Sequence, residues 1–157
     1  MSNREEKESN FREAKRIVFR LFRFRPRSEK EIRCHLGEKN LPVETVDRII
    51  TYCKNLNFID DASFAQQWML SRLKKPFGLK RIKLELIEKG INQDIIEETL
   101  KNVPDHYNEE AIATTLARKQ KLKRPHLGSE ISNTRVYGYL TRRGFDTGVI
   151  MKVINKL

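Results

Sequence analysis

The sequence predicts an all-α protein: three tandem three-helix repeats stacked into an elongated, curved array. Three observations predict it. First, the stretch Gly78 to Leu100 is written three times. Fifty positions earlier it lies on Ser28 to Ile50. Fifty-four positions later Val136, Leu140, Arg143, Gly144, Phe145, Ile150 and Ile154 stand for Ile82, Leu86, Lys89, Gly90, Ile91, Ile96 and Leu100. Second, Asn40, Gly90 and Gly144 fall at one place in the three copies. Asn and Gly are the residues that best tolerate the left-handed turn closing a helix. Third, Pro26 and Pro76, fifty apart, each end an apolar helical stripe, because the residue before a proline is pushed out of the α region. No β-strand alternation competes. The expected organisation is a flexible polar N-terminus at 1–10 and repeats at 11–59, 60–105 and 106–157.

In the first repeat the apolar positions Phe11, Ala14, Ile17, Val18, Leu21 and Phe22 form a helical stripe. Ser28 with Glu31 three residues on is a capping-box pattern opening the second helix, which carries Ile32 and Leu36 and stops at Lys39. A β-branched residue at Asn40 should cost roughly 1–2 kcal/mol. A third helix is expected over Val43–Asn55, with Val46, Ile49, Ile50 and Cys53 inward. Leu41, Ile91 and Phe145 follow the turn in each copy and are expected to plug the gap between second and third helices. Asn92 and Asp146 are natural N-caps for the third helices; Pro42 takes that place in copy one.

The second repeat opens at Asp60-Asp61, with Phe64, Ala65, Trp68 and Met69 on one helical face. Adjacent carboxylates at a helix start point to capping and dipole compensation rather than catalysis. The helical spacing of Trp68 and Phe64 points to packing, and leaves Phe24 as the plausible exposed aromatic. The third repeat opens near Asn108, with Ala111, Ile112, Thr115 and Leu116. Taken on Phe64 and Ala111, the first helices are forty-seven apart while the second are fifty-four apart. About seven extra residues therefore fall in or near Arg118–Glu130, and an insertion on a repeat scaffold tends to sit on a working face.

Of the 157 residues, 38% are hydrophobic and 34% charged, which suits three small units with modest cores better than one thick core. Lys and Arg outnumber Asp and Glu by 32 to 21, a formal charge of +11, favouring a polyanionic partner. His35, His106 and His126 are scattered, and Cys34 and Cys53 have no CxxC spacing, so no metal site and no disulfide framework is expected. Phosphate-binding glycine loops and nucleophile elbows are missing, so neither a cofactor nor an enzymatic activity is expected. The lead-in MSNREEKESN lacks the apolar core of a signal peptide and no run is long enough for a membrane span; a cytoplasmic location is expected.

The candidate binding residues are the basic runs. Arg23, Arg25 and Arg27, then Lys74, Lys75, Lys80 and Arg81, then Arg118, Lys119, Lys121, Lys123 and Arg124 sit at equivalent turns between first and second helices. Repeat geometry would align them into one cationic strip. Arg142 and Arg143 mark the end of a second helix, where cations also favour the dipole. A strip that neutralises phosphates would show a log K against log salt slope of about −0.9 per phosphate on a duplex, less on a single strand.

Five segments carry a resemblance: RPRSEKEI (25–32), FIDDASFA (58–65) with Trp68, FGLKRI (77–82), ELIEKGI (85–91) and YLTRRGF (139–145). In these the chain resembles the RecX family of recombination regulators, across all three copies; Asn40 stands where the first turn frequently has glycine. The resemblance implies an all-helical, three-repeat, non-enzymatic and monomeric modulator acting in homologous recombination, DNA repair and the SOS response. Its implied partner is the RecA recombinase filament, with single- or double-stranded DNA as a further contact. The implied effect is inhibition of RecA ATPase, strand exchange and coprotease activities. The competing expectation is a free-standing DNA-binding protein of tandem helix-turn-helix-like units. Against it, each third helix, such as Val43–Asn55, is expected to be short of exposed Arg, Asn and Gln at its N-terminal end.

Overall fold

The computed structural model describes residues 2–157, and among them every regular element is a helix. The order is α1 (Asn3–Phe22), α2 (Glu29–Glu38), α3 (Val43–Asn55), α4 (Asp61–Leu73), α5 (Leu79–Glu88), α6 (Gln93–Lys101), α7 (Glu109–Leu122), α8 (Ser129–Arg142) and α9 (Thr147–Asn155). The principal helix packing is within triplets: α1 with α2 and α3, α4 with α5 and α6, α7 with α8 and α9. Each triplet has its own core, so the molecule is an elongated array of three small hydrophobic clusters. Ala14, Val18, Ile32, Leu36, Ile49 and Cys53 anchor the first. Phe64, Ala65, Met69, Ile82, Leu86 and Ile96 anchor the second. Ala113, Ala117, Val136, Leu140, Phe145 and Ile150 anchor the third.

Local chemistry sets the helix ends. Ser28 accepts from the Glu31 N–H while the Glu31 side chain returns to the Ser28 N–H, a complete capping box. Asp60, Asn92, Asn108 and Asp146 each accept a backbone N–H from the first turn they open. Asn40 (φ 55°), Gly90 (φ 75°) and Gly144 (φ 80°) all adopt the left-handed conformation required after the second helices. Ile91 and Phe145 then bury 6% and 2% exposed beneath those turns, and Leu41 is half-buried against its core.

Three expectations are corrected. The helix expected to start at Phe11 starts at Asn3, because Ser2 and Glu5 form a second complete capping box. Ion pairs Lys7–Glu44 (3.2 Å) and Arg48–Glu8 (3.3 Å) hold the added turns to α3, so the polar lead-in is helix. In the third repeat the first-helix register is one residue later than expected. Asn108 caps α7 as Asp60 caps α4, forty-eight residues earlier, so Ile112, Ala113, Leu116 and Ala117 answer to Phe64, Ala65, Trp68 and Met69. Ala111 and Thr115 are exposed. The insertion is therefore six residues, forty-eight against fifty-four. Four of them lengthen the start of α8, which has 14 residues against 10 in α5. Most of the insertion is an extra helical turn rather than a longer loop.

Candidate functional site at the repeat junctions

The second helices meet end to end. At the first junction the Ser28 hydroxyl, at the N-cap of α2, donates to the carbonyl of Lys89, the C-cap of α5, at 2.7 Å. At the second the Gly78 N–H, at the N-cap of α5, donates to the carbonyl of Arg143, the C-cap of α8, at 3.0 Å. The order α8–α5–α2 thus joins each negative helix end to a positive one, which favours the contact electrostatically. A carboxylate from the following repeat completes each joint. Asp61 accepts the Glu29 N–H at 2.9 Å, and Glu109, at the equivalent place, accepts the Leu79 N–H at 2.8 Å. Burial pushes both carboxyls up in pKa, and these N–H bonds oppose the shift. Asp61 is therefore a cap, as its position implied, but of the neighbouring repeat's helix.

The two joints differ in chemistry. The first is ionic: Lys89 Nζ reaches Glu31 Oε1 at 2.6 Å, and the Arg25 fork grips Glu31 at 2.7 and 3.1 Å. Burial alone would raise the Glu31 carboxyl, but hydrogen bonds from Arg25, Lys89 and the Ser28 backbone outweigh it and hold it at about 2. At the second joint the counterparts of Glu31 and Lys89 are Arg81 and Arg143. Two cations replace the ion pair, and their aromatic neighbour Phe77 takes up both guanidiniums, at 4.2 and 5.6 Å from its ring centroid. Arg72 stands 5.7 Å from the same centroid and 4.9 Å from that of Trp68, with Lys89 also 4.9 Å from Trp68. Cations and rings thus alternate from one joint to the other, each contact contributing about 0.5–1 kcal/mol where solvated. Glu85 is the carboxylate that binds the arginines of the second joint, accepting from Trp68 Nε1 (2.9 Å), Arg72 Nε (2.7 Å) and Arg81 Nε (3.1 Å).

The fourteen sequence candidates divide accordingly. Arg25 and Arg81 are half-buried and bonded to Glu31 and Glu85, and Arg143 is half-buried between Phe77 and Tyr139. Arg27 is half-buried with no acceptor for its Nε, and burial, then the neighbouring Arg25 charge, lowers its pKa. Arg23, Lys74, Lys75, Lys80, Arg118, Lys119, Lys123, Arg124 and Arg142 are exposed, and Lys121 is half-buried; among the described residues none of these ten has a carboxylate partner. Phe24 is 78% exposed. Sequence reasoning missed Arg72 and Glu85 and assigned Trp68 to packing alone. Trp68 does pack against its core, but its ring edge and face are engaged by Glu85 and Arg72. The signals were the i, i+4 pairs Trp68–Arg72 and Arg81–Glu85. Among the described residues no three His, Cys, Asp or Glu side chains form a metal-sized group, and no helix is long and apolar enough to cross a membrane.

Fold and surface together define a tandem three-helix-repeat protein with cationic and aromatic groups concentrated where its repeats join. Residues 14–53 match the model of the first three-helix domain of RecX, and residues 60–100 match that of the second. The regulatory protein RecX of Prosthecochloris aestuarii is 33% identical over 136 residues, 85% of each chain. That of Clostridium beijerinckii is 31% identical over 150 residues, 94% of this chain and 70% of its own. The chain belongs to the RecX family of regulatory proteins. The crystal structure of RecX from Lactobacillus salivarius, 22% identical, has the same fold, with a TM-score of 0.82 over 96% of this chain and 97% of that one.

Proposed function

We propose that this protein is a cytoplasmic, monomeric, non-enzymatic regulator of homologous recombination and DNA repair. It binds the RecA–DNA filament and inhibits its ATPase, strand-exchange and coprotease activities. Membership of a family of regulatory proteins supports a regulator. The observation that carries the choice of a filament is the run of unpaired, exposed cations at successive turns: Arg23, then Lys74, Lys75 and Lys80, then Lys123 and Arg124. Charges repeated along an elongated scaffold suit an extended nucleoprotein partner better than a compact one. The first turn of α3 presents exposed Val43 and Glu44 and no Arg, Lys, Asn or Gln, the usual readers of purine edges for a free-standing helix-turn-helix protein, whereas α6 opens on exposed Gln93. The test is RecA ATPase on single-stranded DNA. A molar excess of this protein should suppress turnover, and unchanged turnover overturns the proposal.

A further inference from the structure

The cluster at the second joint holds more charge than the joint requires. The Arg72, Arg81 and Arg143 guanidinium carbons all lie within 5.7 Å of the Phe77 centroid, so they stand within about one Debye length of one another. Glu85 neutralises one of the three, and binds Arg72 and Arg81 through Nε alone. Among the described residues the Nη groups of Arg72 and Arg81 have no acceptor, and Arg143 has only the Pro76 carbonyl, at 3.5 Å. Phe77 is itself held in place: its carbonyl accepts from the Tyr107 hydroxyl at 2.5 Å, which fixes the turn to the third repeat. Three planar cations are thus supported on one ring, with the outer N–H donors of Arg72 and Arg81 uncommitted and those of Arg143 engaged only by one long contact, the arrangement that suits a tetrahedral oxyanion.

We infer that Arg72, Arg81 and Arg143, arranged around Phe77, form a discrete site for one phosphodiester group of a nucleic-acid backbone, bridging the second and third repeats. A phosphate is favoured over the carboxylates of an acidic protein because exposed Lys74, Lys75, Lys80 and Arg142 extend the charge away from the ring without carboxylate partners. A chain of regularly spaced anions meets such a line of cations. The inference sharpens the proposed function only in saying which part of the filament's DNA is held and by which residues. The phosphate site stands on this geometry alone, and does not need the recombinase.

The test uses the full chain without RecA. Trp68, the single tryptophan, has the Arg72 guanidinium 4.9 Å from its ring centroid and reports occupancy by its fluorescence. Titration with a single-stranded oligothymidylate should change that signal. Arg143→Gln removes a cation that leaves no carboxylate uncovered. It should lower affinity about three- to tenfold and reduce the log K against log salt slope by about 0.7. Arg12→Gln, on the exposed part of α1, should do neither. Arg143→Lys keeps the charge but loses the fork, and should fall between wild type and Arg143→Gln, which serves if the glutamine variant folds poorly. Equal affinities for the Arg143→Lys variant and wild type, equal loss for the Arg12 and Arg143 variants, or tighter binding of oligoglutamate than of oligothymidylate would each overturn the site. A protein that inhibits RecA yet ignores the oligonucleotide refutes the phosphate site alone. One that binds through Arg143 yet leaves RecA turnover unchanged refutes the regulator alone.

Discussion

A Cβ placed on Gly78 would stand 2.1 Å from the carbonyl oxygen of Gly144, so the second and third repeats meet backbone against backbone. The equivalent residue in the first repeat is Ser28, whose side chain bridges to Lys89 instead. Gly78→Ser would supply the residue type that helix N-caps prefer, a gain of about 1 kcal/mol in isolation. The steric conflict is with backbone and cannot be relieved by a rotamer. Both Gly78→Ser and Gly78→Ala should therefore destabilise, by about 3 kcal/mol, read as a lower midpoint in urea unfolding. A Gly78→Ser variant as stable as wild type would show that the joint opens freely.

The two glycines with positive φ should not be equivalent. Alanine at Gly90 meets Lys30 Cδ at 2.5 Å, which can swing away, and Lys30 Cβ at 2.6 Å, which needs a small backbone shift on top of the left-handed strain of about 1–2 kcal/mol. Alanine at Gly144 meets the backbone nitrogen and Cα of Arg81 at 2.6 and 2.8 Å. Gly144→Ala should cost at least 1 kcal/mol more than Gly90→Ala by thermal or chemical unfolding. Similar losses would mean that the strain alone decides.

These cases also mark what the sequence could say. Asn40, Gly90 and Gly144, and the caps at Ser28, Asp60, Asn92 and Asp146, were legible because each satisfies a requirement within four residues of itself. The joints were not, since Ser28–Lys89 and Gly78–Arg143 link residues 61 and 65 apart that no periodicity relates. The helix over residues 3–10 was hidden because it has no apolar stripe; its Ser2–Glu5 capping box was the available signal. The α7 register slipped because apolar similarity, not the Asn108 cap, set the alignment. At the candidate site, the basic turns were visible as composition. Their division into bonded and free cations depends on which carboxylate folds back, and only Glu31 and Glu85 decide that.

The first joint should weaken in acid. The folded-state carboxyl of Glu31 is held at about 2, below its ordinary value, so its contribution is fully present above the unfolded value near 4.5. It is lost as pH falls through about 2. The contribution has an upper bound of about 3 kcal/mol. Glu31→Gln should destabilise by about 1–3 kcal/mol at pH 7, and the gap to wild type should close progressively below pH 4.5. A gap that is constant from pH 7 to pH 2.5, measured by urea unfolding, would mean that the carboxylate charge is not what joins these repeats.

The division of cations predicts which reversals affect function without affecting the fold. Lys123 and Arg124 are exposed and unpaired, so Lys123→Glu with Arg124→Glu should leave stability within about 0.5 kcal/mol. The same pair should raise the concentration for half-inhibition of RecA ATPase several-fold. Arg12→Glu with Lys15→Glu, two exposed cations on α1 away from the turns, should leave inhibition near wild type. Arg25→Glu belongs to neither class. It puts a second carboxylate against Glu31 and strips a two-point grip, so it should cost about 2 kcal/mol and lose inhibition through the fold. Matching Tm with each half-inhibition concentration therefore separates a directed cationic face from charge in general. Equal losses from the α1 pair and the turn pair, at unchanged Tm, would leave only the net charge of +11 as the determinant.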